Sequence, residues 1–82
     1  MKNNDEKFKN YLSNLGQLVK EYALAAVEER EKHRGQPMQE FYDGYVLGFH
    51  RFVSLMQQQA QACGIDLKDL QLEGVQPDRD LV

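Results

Sequence analysis

The run Phe41-Tyr42-Asp43-Gly44-Tyr45-Val46-Leu47-Gly48-Phe49-His50-Arg51-Phe52-Val53-Ser54-Leu55-Met56 decides how this chain folds. It holds three of the four Phe, two of the four Tyr and a pair of glycines four residues apart. Apolar residues recur in steps of three and four, at Met38, Phe41, Tyr45, Phe49, Phe52 and Met56. That is the period of a helix and no strand produces it. At about 100° per residue the apolar arc covers roughly 180° of the helix surface. Leu47 stands alone on the other face with Gln39, Glu40, Asp43, His50, Ser54, Gln57, Gln58 and Gln61. The helix is expected from about Pro37 to Cys63, since proline suits a first turn. Gly64 should end it, with Ile65 folding back toward Ala60 in a Schellman turn.

The same period runs through the preceding residues. Phe8, Leu12, Leu15, Val19, Tyr22 and Ala26 lie on one side of a first helix, and the wider apolar set covers roughly 160°. Asn3 and Glu6 have capping-box spacing, so this helix is expected over about residues 5–34. Its end is charged, Glu28 to Arg34, with cations in the last turn and Gly35 placed as a C′ residue. Downstream, Asp66 reads as an N-cap with Asp69 three residues on, which predicts a short helix over about 66–72 in which Ile65 staples to Leu70. The tail, 73–82, reads as a turn at Glu73-Gly74 followed by a partly extended or flexible end.

An 82-residue chain is one domain and buries a modest share of its surface on folding. Small folds compensate with disulfides, metals or oligomerisation. A single cysteine, Cys63, leaves no internal disulfide framework. The net charge is −3 with no basic stripe, which argues against direct nucleic-acid binding. No export segment is visible near Met1 and no apolar run approaches the roughly 20 residues of a membrane span. With one free thiol, a cytoplasmic protein that does not enter membranes is expected.

A short connection makes the two long helices antiparallel neighbours. Each apolar arc is too wide for one partner helix to cover. The expected fold is therefore all-α: a long antiparallel hairpin plus a short C-terminal helix, doubled by a twofold axis into a homodimeric four-helix bundle. The residues expected to form the assembly surface are Tyr11, Leu15, Leu18, Tyr22, Phe41, Tyr45, Gly48, Phe49, Phe52, Leu55 and Met56. The short helix could cap the bundle or cross the partner. The rival is a monomer whose C-terminal segment folds back over the groove.

Chemical signals are sparse. Gly44 and Gly48 each disfavour a helix interior by about 1 kcal/mol, so they imply a close approach, against Gly16 or Ala23 of the hairpin or against a second copy. Glu29 and His33 share a face at metal-ligand spacing, but Arg30 stands where the Glu-xx-His pattern of di-iron bundles needs an acid. An ion-paired helix end is the simpler reading. Asp43, His50 and Ser54 fall on one side of the second helix, yet Asp43 and His50 are two turns apart, beyond hydrogen-bond reach. Tyr11, Tyr22, Tyr42 and Tyr45 read as core or interface, and Cys63 as a small apolar residue. No catalytic, cofactor-binding or metal-ligating set is assigned. The functional expectation is a non-enzymatic interaction or adaptor module, acting as a homodimer with another protein as its partner. The alternatives are a small-ligand- or metal-binding bundle, and an acidic regulator that binds a basic partner of nucleic-acid machinery.

Overall fold

The computed structural model describes residues 2–82, with side chains from residue 5 onward. Two long helices, α1 (Lys2–Lys32) and α2 (Gln39–Ala62), pack as an antiparallel hairpin. A 3₁₀ turn (Leu67–Leu70) and a single helical turn, α3 (Pro77–Asp80), follow. The body is 52 × 21 × 16 Å. Its Cα radius of gyration is 14.7 Å, where a compact chain of this length has about 12 Å.

The seam is made of small residues. Val46, Val53 and Ala60 recur every seven residues of α2 and are buried, with the half-buried Phe49 and Met56 between them. That is the a/d pattern of a coiled-coil seam. Val19, Ala23 and Ala26 answer from α1. Alanine and valine let the helix axes come close, which leaves the larger apolar side chains to either side of the seam.

Helix ends follow local chemistry, with shifts of a few residues from expectation. α1 starts at Lys2, so Asn3 lies inside the helix; its side chain is outside the described residues. Arg30 and Lys32 occupy the last turn, and Gly35 takes a left-handed φ of 79°. α2 begins at Gln39, two residues later than expected. Pro37 is spent on the turn, where the Gln39 amide NH bonds the Gln36 carbonyl at 3.0 Å and the Gln39 side-chain oxygen accepts from the Gly35 NH at 2.7 Å. At the far end Gly64 has φ 72°, the Ile65 NH donates to the Ala60 carbonyl at 2.7 Å, and the Gly64 NH donates to the Gln61 carbonyl at 3.1 Å. This pair is the Schellman turn.

That turn sends the chain back along its own hairpin. Asp66 caps the next segment, its Oδ1 accepting from the Lys68 NH at 3.1 Å. The segment is a 3₁₀ turn rather than the longer helix expected, closed by Gln71 in the left-handed region. The reason is a close approach to α1: the Leu70 backbone lies on Gly16, where any Cβ would overlap the Leu70 carbonyl. The segment lies on its own α1.

Residues 72–82 are also folded in: the end is not extended or flexible but folds back over the hairpin, the arrangement of the C-terminal segment given above as the rival. Leu72, Val75 and Leu81 are buried. The Gln57 amide donates to the carbonyls of Leu72 and Val75 at 3.1 and 2.8 Å, holding the tail against α2. Pro77 opens α3 at its first turn, and Asp80 accepts from the Gln76 NH at 2.9 Å. Arg30 donates to the Val82 carbonyl at 2.6 Å, so the tail spans the hairpin almost to its turn.

Candidate interaction surface

The tail covers one of the two grooves between α1 and α2, and the other groove stays open. On α1 the open side presents Tyr11, Leu18, Tyr22 and Ala25; on α2 it presents Phe41, Tyr45, Phe52 and Leu55. Apart from Ala25, these side chains are between 44% and 64% exposed. Core residues such as Val46 and Val53 are almost wholly covered, so the face is unfinished as a core. Phe8 continues it toward the start of α1. Gly48, in the same stripe, adds no side chain.

Of the residues expected in the assembly surface, Leu15, Phe49 and Met56 are half-buried and pack against the hairpin core. The remaining eight lie on the open face. Phe41, Tyr45 and Phe49 form a chain of ring contacts, 5.9 Å from Phe41 to Tyr45 and 5.2 Å from Tyr45 to Phe49. Tyr42 touches this chain edge-on at Phe41, 5.1 Å away, and stacks on His33 at 4.6 Å, joining it to the end of α1.

Gly44 and Gly48 do not pack against Gly16 or Ala23. No heavy atom lies within 4 Å of where their Cβ atoms would be. With Val19, Tyr45, Phe49 and Phe52 they line a shallow, almost wholly apolar groove of about 380 Å³. The hairpin's own folding thus gives no reason for two glycines in mid-helix, each about 1 kcal/mol less favourable than alanine. The mid-helix glycine that the fold does require is Gly16. Its signal was available only as an isolated glycine inside a helical pattern.

The polar candidates resolve differently. His33 Nδ1 stands 2.8 Å from the Glu29 carbonyl oxygen. A carbonyl only accepts, so in this hydrogen bond Nδ1 carries the proton and the ring's lone pair lies on Nε2. Glu31 and Arg34 pair at 2.7 Å, and the guanidinium holds the Glu31 carboxyl below its ordinary range. Among the described residues no three of His, Cys, Asp and Glu gather as a metal set. Cys63 is exposed at the end of α2.

His50 is 2.9 Å from a carboxylate, but the partner of its Nε2 is Asp78 of α3 and not Asp43. Sequence spacing along α2 had no means of naming a residue 28 positions away on a returning tail. Ser54 lines the same cleft. However, His50 Nδ1 is shut from solvent and has no hydrogen-bond partner, so no path runs from a serine hydroxyl through this ring. The pair acts as a tie between tail and α2. No helix among the described residues is long and apolar enough to cross a membrane. No protein-family model, no curated protein and no solved structure matches the chain.

Proposed function

We propose that this chain is a small non-enzymatic interaction module that works as a homodimer, joined through the open aromatic face. Its outer polar surfaces then remain free for another protein. One thiol and an acidic balance fit a place in the cytoplasm. The open face carries the reading, because it gathers seven large apolar side chains on one side of a folded chain whose tail packs on the other. A compact monomer of 9.5 kDa exposes about 5,000 Å², whereas this chain exposes 6058 Å². The excess belongs to the whole elongated body, of which the open face is a part.

Size-exclusion chromatography with light scattering at low micromolar concentration tests this. The expected mass is twice 9.5 kDa, and a clean 9.5 kDa species removes the dimer. Native mass spectrometry adds the other occupant as an outcome: a small apolar molecule retained on a monomer would place a ligand, and not a second copy, in the Gly44–Gly48 groove.

A further inference from the structure

We infer that two copies meet about a twofold axis running along the hairpin, so that α1 of each lies on α2 of the other and Ala25 of one sits on the Gly44–Gly48 notch of its partner. This rests on the homodimer proposed above and assigns its register. A twofold axis along the helices swaps left for right and keeps height. Whatever lines the outer edge of α1 therefore meets whatever lines the outer edge of α2 at the same level.

The levels follow from the fold. Ala26 and Val19 on α1, and Val46 and Val53 on α2, belong to one buried cluster and lie seven residues apart in each helix; setting Ala26 level with Val46 sets Val19 level with Val53. At that offset Lys32 is level with Glu40, Glu21 with Arg51, and Asn14 with Gln58. All six are exposed polar residues on the flanks of the two helices. Each level thus offers a complementary pair across the interface: cation with anion, anion with cation, amide with amide. The alternative axis, across the helices, lays α1 on α1 and loses this match, because Glu21 and Glu28 of one copy then face an edge of the same composition.

The centre of the face agrees with the edges. Ala25 is exposed and level with the stretch between Gly44 and Gly48, and those glycines have open space above them. Small residue over glycine lets the two backbones approach, which accounts for two helix-interior glycines that the hairpin leaves unexplained. The aromatic rings on both sides of the notch would then pack around that contact.

The test is a charge exchange at Glu21 and Arg51. Both are exposed and outside the hairpin core, and among the described residues the side-chain hydrogen bond to Glu21 comes from Gln17, at 3.3 Å. Glu21→Arg sets arginine against the partner's Arg51 twice per dimer. The dimer dissociation constant is expected to rise about tenfold at low salt, in keeping with the modest worth of edge charges. Arg51→Glu should do the same, and the double variant Glu21→Arg/Arg51→Glu should return to the wild-type value. A dimeric wild type whose single variants associate unchanged, or whose double variant is weaker than either single, overturns this register and leaves the homodimer standing. A monomeric wild type overturns both.

Discussion

The two grooves of the hairpin lie between the same two helices and meet opposite fates. On the covered side the walls are small, Gly16 on α1 above all, and the chain supplies its own large residues, Leu70, Leu72 and Leu81. On the open side the walls themselves are large and aromatic, and the chain supplies nothing to cover them. Glycine marks both. At Gly16 a backbone already lies on the missing side chain, while at Gly44 and Gly48 the space is empty. Completed and uncompleted packing can thus be told apart by what sits above a glycine, with no appeal to hydrophobicity, which is high on both sides.

Substitutions at matched positions on the two sides should separate these roles. The largest effect is expected at Gly16→Leu. The 3₁₀ turn must leave α1, exposing Leu70 and Leu72, each worth about 1.5–3 kcal/mol of burial. The loss should show as a fall in unfolding free energy by urea titration, with the dimer interface untouched until the fold itself fails. Next is Leu72→Ala, which opens a cavity under the tail and should cost about 2–5 kcal/mol. Phe52→Ala, of larger volume but on the open face, should leave the monomer's own stability within about 1 kcal/mol while weakening self-association. If Phe52→Ala destabilises the monomer as much as Leu72→Ala, the distinction between the grooves is wrong.

A smaller effect is expected from Gly48→Leu set beside Leu47→Ala. Leucine at 48 replaces a poor helix former and raises helix propensity by under about 1 kcal/mol, yet it fills the notch and should drive the dimer apart. Leu47→Ala, beside the tail at Leu81 and Val82, should leave the oligomeric mass unchanged. Two variants that dissociate alike would refute the face assignment.

The smallest concerns acid. The Arg79 guanidinium and the Gln76 NH hold the Asp80 carboxyl down to about 2, below its unfolded range near 3.9. A depressed carboxylate contributes stability above its unfolded pKa, and that contribution disappears as pH falls through the folded value. The tail should therefore loosen slightly between about pH 4 and pH 2. Asp80→Asn should remove this part of the acid response, as read from amide exchange at Leu81; an unchanged profile counts against it.

The helices were legible because a 3.6-residue period is written in the sequence many times over, and the caps at Gly35, Gly64 and Asp66 are local motifs. The width of the apolar arcs correctly signalled more surface than a hairpin can bury. What it could not say was how that surface would be divided. Leu70, Leu72, Val75 and Leu81 carry no period, so the fold-back of the C-terminal segment could be named as a rival arrangement but not placed on one groove rather than the other. The contacts that place them, Gly16 with Leu70 and His50 with Asp78, join residues far apart in the chain. A glycine records that something comes close without recording what, and so Gly16 and Gly48 looked alike in the sequence although one is filled and the other is not.

The tail's clamps also set an order of events. The hairpin closes across a turn of six residues, 33–38, whereas Gln71 reaches Ser13 and Val82 reaches Arg30 over separations of 58 and 52 residues. Loop entropy makes the second closure costlier by about 2 kcal/mol. The helices should therefore zip first, with the tail docking onto a surface that already exists. Weakening the tail would then hasten unfolding while leaving the folding rate nearly unchanged.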